Sequence, residues 1–287
     1  MFLQGLLVSN CKMMEGVIVT EERFAEEETT QKIFFPNLQS LELDDLPKLK
    51  RFCSANYIAF PRIKTIIINQ CPLLKAFTSS PLIGDIAISI EKAPNTSTLP
   101  LFDAKVAVPV LEDLRISNME GLHKIWQNQL DAESFCKLKY LCVIDCEKLE
   151  SIFPFGMLER LQRLEELMIA GCDLLEVIFE AQGPVASYSQ PLVASQLTFV
   201  ETETKLLLPK LTELRLQIPP QLKAFCHSKH ITECPSLQKL SVVGFQQLEI
   251  FALEFPSFQN ATSDEQLETR VQHSLFWINK VRTLNSL

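Results

Sequence analysis

The chain has 287 residues, and 47% of them are hydrophobic, so it is long enough to bury a large core. Its formal net charge of −8 argues against nucleic-acid binding, which needs a basic surface to replace the counterions of phosphates. No apolar run approaches the roughly 20 residues that a membrane-spanning helix needs. The segment from Met1 to Val8 lacks the basic start of a signal peptide, and the nine cysteines have no disulfide-type spacing. We therefore expect a cytoplasmic protein with reduced thiols; its oligomeric state is open.

In chain order, the pattern Leu-x-x-Leu-x-Leu recurs, with Ile or Val also occurring at its apolar positions. Its copies begin at Leu3, Leu38, Ile63, Ile83, Leu111, Leu138, Leu164, Leu211, Leu237 and Leu284. In the regular stretches the steps are 25, 27, 26 and 26 residues (38 to 63, 111 to 138, 138 to 164, 211 to 237). This period is typical of leucine-rich repeats. The copy at Ile83 divides its interval unevenly, and the longer intervals before Leu211 and Leu284 could each hold a degenerate repeat or a loop.

The spacing within each copy has a physical meaning. In a β-strand, successive side chains point to opposite faces, so the last two apolar positions of a copy point to one side together. Strands of consecutive copies, laid side by side, would bury these residues in a continuous core that no single copy can form. The sequence therefore predicts an α/β fold, a horseshoe-shaped leucine-rich repeat solenoid with a parallel sheet on its concave face. We expect a single domain over residues 1–287 with about ten repeats.

A second apolar pair follows each predicted strand, as in Leu49/Phe52 and Leu149/Ile152, and should fill the convex half of the core. Prolines recur before or within this region and disfavour long helices. We expect a mostly irregular or short-helical convex side, with one better helix around Met157 to Arg163.

Cysteine recurs at one phase of the repeat, three residues past the last apolar residue of the motif. It occupies this position as Cys11, Cys71, Cys146 and Cys172. The consensus places Asn or Cys there. We expect these side chains to turn inward and to bond neighbouring backbone.

Three stretches interrupt the period, near residues 20–32, 180–205 and 256–279, and they are richer in Glu, Gln, Ser and Thr. We interpret them as loop insertions on the surface. Neither end carries the polar capping unit that shields the terminal core of a solenoid. We therefore expect the chain to be a fragment of a longer protein.

Catalytic signatures are absent from the sequence. No glycine is followed by lysine, as a P-loop requires, and neither Gly-x-Ser-x-Gly nor His-Glu-x-x-His occurs. We expect no enzymatic activity and no cofactor. Four possible zinc ligands, Cys226, His227, His230 and Cys234, lie within nine residues, but the usual separated ligand pairs are missing. Both cysteines also fit structural positions of the repeat, so we expect no metal site and keep a metal-binding domain as an alternative.

Residues that alternate with the buried pair must point out of the concave face of the sheet. Several are more apolar than a solvated surface requires, and exposed apolar patches rimmed by charge often mark protein interfaces. Tyrosine and arginine often dominate binding energy, which singles out Tyr140, Arg115 and Arg215 as anchors. The expected partner-binding residues are Glu42, Ile67, Arg115, Tyr140, Cys142, Met168, Arg215 and Ser241.

The amino-acid sequences of the individual repeats are more specific to one protein family than the repeat length is. Phe35-Pro36-Asn37-Leu38-Gln39-Ser40-Leu41-Glu42-Leu43 is followed by Leu46-Pro47-Lys48-Leu49-Lys50-Arg51-Phe52, and related phrases occur at 8–15, 234–237 and 275–281. These sequence segments resemble the leucine-rich repeat region of plant intracellular disease-resistance proteins of the coiled-coil, nucleotide-binding type. The resemblance spans nearly the whole chain.

The resemblance implies a role in plant defence and innate immunity. Members of that family recognise pathogen effectors, or host proteins that effectors modify, and restrain a nucleotide-binding switch. A protein partner is therefore implied: an effector, a guarded host protein or the protein's own nucleotide-binding domain. The coiled-coil and nucleotide-binding domains are missing here, so only the sensor part is implied. The alternatives are a substrate-recognition module of a ubiquitin ligase and a truncated product without independent function.

Overall fold

The computed structural model describes residues 2–19, 32–78, 99–180, 205–217, 222, 224–226, 231–244, 251–252 and 276–277. Extended segments dominate this part of the chain. In chain order the strands are β1 Gly5–Ser9, β2 Gly16–Ile18, β3 Lys32–Phe34, β4 Ser40–Asp44, β5 Arg51–Cys53, β6 Tyr57–Ala59, β7 Thr65–Asn69, β8 Pro100–Phe102, β9 Val106–Ala107, β10 Asp113–Ser117, β11 Lys124–Trp126, β12 Tyr140–Ile144, β13 Ser151–Phe153, β14 Glu166–Ala170, β15 Val177–Phe179, β16 Lys205–Leu207, β17 Glu213–Gln217, β18 Ala224–Cys226, β19 Ile231–Glu233, β20 Lys239–Val243, β21 Phe251–Ala252 and β22 Phe276–Trp277.

Eight of these strands form one parallel sheet. Its order is β1-β4-β7-β10-β12-β14-β17-β20, so the strands lie side by side in the order in which the chain makes them. Each strand begins two residues after the first anchor of a repeat copy, and corresponding residues pair in register along the sheet. The predicted leucine-rich repeat solenoid with a parallel sheet is confirmed.

Alternation along the strands separates a buried row from an exposed one. The two apolar motif residues within each of the six central strands are at most 3% exposed: Leu41/Leu43, Ile66/Ile68, Leu114/Ile116, Leu141/Val143, Leu167/Ile169 and Leu214/Leu216. The corresponding residues of the first and last strands are only half-buried. Because each strand buries its apolar pair against its neighbours, the core runs along the stack and thins at both ends.

The chain turns sharply after most strands of the large sheet. The residue after the strand adopts a positive φ at Asn10, Asp45, Gln70, Asn118, Asp145, Gly171 and Gly244. Asn, Asp and Gly are the residues that tolerate this conformation best. The turn directs the next side chain inward, and at that position Cys71, Cys146 and Cys172 are fully buried.

The cysteine thiols satisfy the backbone of this turn. Each donates to the carbonyl oxygen two residues earlier, with Sγ to O distances of 3.3 Å for Cys11, 3.3 Å for Cys71, 3.5 Å for Cys146 and 3.4 Å for Cys172. The expected inward, backbone-bonded role is confirmed at three positions; Cys11, in the first repeat, makes the bond but is only half-buried.

The convex side is more regular than the sequence indicates. Where we expected irregular or one-turn segments, strands of two or three residues pair in parallel as β2-β5, β3-β6-β9, β8-β11, β13-β15-β18, β16-β19 and β21-β22. Stacked repeats bring extended segments of equal phase side by side, and this proximity lets short ladders form that no single repeat could stabilise.

The structure also moves and shortens the expected helix. A 3-10 helix spans Phe155–Arg160, where we expected a helix from Met157 to Arg163. It ends before Leu161 because Leu161 and Leu164 are both fully buried and lead into the next strand. Within the part of the chain that the structure describes, no helix is long and apolar enough to span a membrane.

A chain of buried aromatic rings links the repeats behind the sheet. Successive centroids lie 4.7–5.9 Å apart along Phe35, Phe60, Phe52, Phe77, Phe102, Phe135, Trp126, Phe153 and Phe179. Aromatic pairs at such distances stabilise a core by about 0.5–1.5 kcal/mol beyond their burial. These contacts tie neighbouring repeats to one another.

Two intervals between neighbouring strands of the large sheet are longer than the repeat period. β7 pairs directly with β10, and β14 pairs directly with β17, so no other strand lies between the members of either pair. The copy expected at Ile83 lies outside the described part of the chain. The copy at Leu284 and nearly all of the three expected insertions also fall outside the described residues.

Candidate functional site

The concave face carries three parallel rows of outward side chains, one from each outward position of the strands. The register aligns the middle row as Leu7, Glu42, Ile67, Arg115, Cys142, Met168, Arg215 and Ser241. With a strand spacing of roughly 4.8 Å, this row of eight strands is about 34 Å long. Seven of the eight residues expected to bind a partner lie in it, and Tyr140 belongs to the neighbouring row that starts each strand.

A shallow depression of about 210 Å3 lies at the centre of this face. Five of the expected residues surround it: Arg115, Tyr140, Cys142, Met168 and Arg215. It is also lined by Asp113, Leu141, Glu166, Leu167 and Glu213. Glu42, Ile67 and Ser241 lie in the middle row but outside the depression.

Two arginines stand at opposite sides of the depression, on β10 and β17. Each is held by a carboxylate two residues earlier on its own strand. Asp113 accepts hydrogen bonds from Arg115 Nε at 3.0 Å and Nη2 at 2.7 Å, and Glu213 accepts from Arg215 Nε at 2.6 Å. The arginine side chains remain 57% and 52% exposed, whereas the carboxylates are only 16% and 13% exposed.

These pairings change the proton affinities of the charged groups. Hydrogen bonding and charge attraction from Asp113 raise the pKa of Arg115. The hydrogen bond from Arg215, followed by attraction to Arg215 and Lys239, lowers the pKa of Glu213 despite opposing desolvation. Arg115 and Glu213 therefore stay ionised at neutral pH. The hydrogen bonds also orient both arginines before any partner arrives.

Small and aromatic side chains fill the space between the two arginines. Cys142 and Met168 are half-buried neighbours in the middle row. Burial raises the pKa of the Cys142 thiol, the opposing effect of Arg115 being smaller, so the thiol is protonated at neutral pH. Tyr140 is 37% exposed, and its hydroxyl donates to the carboxylate of Glu165 at 3.3 Å. The centre of the depression is thus apolar, and its edges are charged.

The row that ends each strand is polar near its first strands and apolar near its last. Asn69 joins three strands there: its Nδ2 donates to Asp44 at 2.7 Å, and its Oδ1 accepts from Ser117 and Asn118, each at 2.8 Å. Farther along, Ile144, Ala170 and Val243 replace these polar groups, with the polar Gln217 between Ala170 and Val243. This polar ladder links β4, β7 and β10, the second to fourth strands of the sheet.

The carboxylates Asp113, Glu166 and Glu213 were not among the expected binding residues. Sequence reasoning placed them on the concave face but took only the arginines and Tyr140 as anchors. A signal was present, because Asp-x-Arg and Glu-x-Arg on a strand put opposite charges on one face, two residues apart.

The segment considered for metal binding, from Cys226 to Cys234, lies only partly within the described residues. Within the described ranges, no group of three or more His, Cys, Asp or Glu side chains is arranged to hold a metal ion. Residues 227–230, which include both histidines, lie outside the described residues. Burial raises the pKa of the Cys234 thiol to about 12.

The ordered parallel sheet, its inward leucine pairs and its exposed outer rows define a leucine-rich repeat solenoid. The chain matches the family model for plant disease resistance protein RPS2-like, leucine-rich repeats, over residues 2–83 and 110–258. It therefore belongs to this family of plant disease-resistance repeats.

One curated relative adds a more distant likeness. Over 166 residues, or 57% of this chain, the sequence is 28% identical to the probable disease resistance protein At4g27220 of Arabidopsis thaliana. The aligned part covers 16% of that protein's length. No solved structure matches the chain significantly.

Proposed function

We propose that the chain is a non-catalytic protein-recognition scaffold, the sensor part of a plant intracellular disease-resistance protein. The observation that carries this proposal is the central depression, where two oriented and exposed arginines flank Tyr140, Cys142 and Met168. Protein interfaces favour such an arrangement, because aromatic, methionine and arginine side chains are enriched at their cores.

The partner proposed for this face is a protein: a pathogen effector, a host protein that effectors modify, or a nucleotide-binding domain of the same receptor. Membership in the plant disease-resistance family supports a defence role. A cytoplasmic location is part of the proposal. It is supported by the eight cysteines whose side chains the structure describes, all of which are free thiols, as expected in a reducing compartment.

The test is a quantitative co-purification from plant tissue. The wild-type chain is compared with the double variant Arg115→Glu/Arg215→Glu and with a matched control, Arg163→Glu, which reverses the charge of an exposed arginine outside the sheet. Circular dichroism and thermal denaturation verify that all three proteins are folded.

We expect at least one protein to be retained by the wild type and the control and lost from the double variant. Anchors of an interface typically contribute about 2 kcal/mol or more each, which corresponds to roughly a 30-fold loss of affinity per arginine. If every co-purifying protein is recovered equally with all three chains, the central depression is not the recognition site.

A further inference from the structure

Some of the charged side chains around the central depression form ion pairs, and one does not. Five charged side chains line it, and all five lie in the described part of the chain. Arg115 and Arg215 are neutralised by Asp113 and Glu213, and Lys239 adds a second cation 3.5 Å from Glu213. The side chain of Glu166 is exposed and makes no hydrogen bond or ion pair with any residue that the structure describes, whereas its backbone N–H donates to the carbonyl oxygen of Lys139 at 2.9 Å. The five lining charges sum to −1, and Lys239 beside Glu213 brings the sum to zero, so the place open to a partner's charge is the Glu166 carboxylate itself.

The surroundings of Glu166 favour a cation with an aliphatic stem. On one side the register pairs Glu166 with Tyr140, and the next outward residue of its own strand is Met168. Aromatic rings attract cations, and the methylene groups of lysine and arginine pack readily on apolar side chains. An incoming carboxylate would instead meet three carboxylates and two guanidinium groups that are already paired.

We propose that this depression receives one lysine or arginine side chain of a protein partner, with its cationic group against the Glu166 carboxylate and its stem over Tyr140 and Met168. This inference rests on the proposed function, because it names the chemistry that the partner presents to the same face. The paired arginines lie on either side of this position, on β10 and β17.

Cys142 provides a built-in reporter of this preference. Its Cα lies roughly 8 Å from that of Glu166, one strand across and two residues along. A small disulfide exchanges with its thiol, so that one mixed disulfide forms on the protein and one free small thiol is released. The attached group then reaches the Glu166 carboxylate. Because burial raises the pKa of the Cys142 thiol, the exchange equilibrium is measured rather than its rate.

The experiment compares three small disulfides on the folded full chain: cystamine, which is cationic, hydroxyethyl disulfide, which is neutral, and dithiodiglycolate, which is anionic. Fragment-ion mass spectrometry measures the fraction of Cys142 modified by each. Cys136, which is half-buried and outside the sheet, is the internal control for general reactivity. Glu166→Gln removes the proposed charge, and Glu42→Gln removes an exposed carboxylate from the same face three or more strands away.

We expect the preference for cystamine over hydroxyethyl disulfide to be about three-fold greater at Cys142 than at Cys136, the factor that a partly exposed ion pair supplies. This excess should vanish in Glu166→Gln and persist in Glu42→Gln. Equal ratios at both cysteines, an excess unaffected by Glu166→Gln, or a preference for dithiodiglycolate would overturn the inference. Because no partner is present, such a result leaves the co-purification test intact, so the two proposals fail separately.

Discussion

Gly121 lies where the backbones of two repeats approach closely, and replacing it with alanine should destabilise the solenoid. A Cβ added there would meet the backbone carbonyl oxygen of Pro72, in the preceding repeat, well inside the 3.0 Å that real Cβ atoms respect. A backbone oxygen cannot rotate away as a side chain can. The two repeats must therefore separate, by about 1 Å on ordinary contact distances.

The loss in free energy of unfolding can be estimated from the side chains that pack on either side of this contact. Leu74 and Leu122 follow the two turns, and each side chain is at most 1% exposed. If about 20 atom contacts of each leucine cross the boundary at about 0.15 kcal/mol each, the boundary holds about 6 kcal/mol of dispersion energy. A gap of about 1 Å forfeits a quarter to a half of it, so we expect Gly121→Ala to cost about 1.5–3 kcal/mol.

Urea denaturation followed by circular dichroism measures this loss, and hydrogen exchange of the peptides around Pro72 and Gly121 locates it. The matched control is Gly156→Ala, because the nearest atom to a Cβ at Gly156 is the carbonyl oxygen of Asn128, at an ordinary 3.5 Å. The control should stay within about 0.5 kcal/mol of the wild type. A midpoint for Gly121→Ala equal to that of Gly156→Ala would refute the reasoning.

Three further changes test other parts of the structure. Phe77→Ala removes a ring whose centroid lies 4.9 Å from that of Phe102, and urea denaturation should show a loss of about 3–5 kcal/mol; a loss under 1 kcal/mol would contradict the aromatic chain. Asn69→Ala breaks the polar ladder of the concave face and should cost about 1–2 kcal/mol by the same assay, whereas an unchanged midpoint would show that the ladder is not formed. Burial raises the pKa of Cys71 from 9.0 to about 11, so the folded state holds this proton more tightly than the unfolded chain does. The free energy of unfolding should therefore fall as pH rises from 9 to 11, and it should fall less in Cys71→Ala, while identical pH profiles for the two proteins would argue against this burial.

The solenoid could be predicted from sequence because its signal is local and repeated. The spacing of Leu38, Leu41 and Leu43 decides which side chains share a strand face, and later copies repeat this choice at nearly constant intervals. The same spacing determines the pairing register between neighbouring strands, since a slip of one residue would turn every buried leucine toward solvent. The middle row of the concave face was predictable for the same reason.

Other features could not be read from spacing. One is which repeats become neighbours: β7 pairs with β10 although Thr65 and Asp113, their first residues, are 48 residues apart. The spacing within one copy does not say which other copy it pairs with. The convex ladders escaped prediction likewise, because strands as short as Ser151–Phe153 exist only when a neighbouring repeat supplies hydrogen-bond partners.

The candidate site was likewise predictable only in part. Alternation identified Arg115, Cys142, Met168 and Arg215 as outward residues, but only the assembled sheet shows that they surround one depression. Among the described residues, it also shows that the side chain of Glu166, which lines the depression, has no hydrogen bond or ion pair. The close backbone contact at Gly121 could not be predicted at all. Lys48, Leu73 and Lys148 occupy the same position in other repeats, so nothing in the sequence indicates that a glycine is required there.

By itself, the sequence determined the repeat, the buried face of each strand and the inward cysteine position, because each depends on side chains a few residues apart. The tertiary structure alone decided which copies become neighbours, where two backbones touch and which charges are neutralised. Those properties arise between repeats, where residues distant in the chain meet at van der Waals distance.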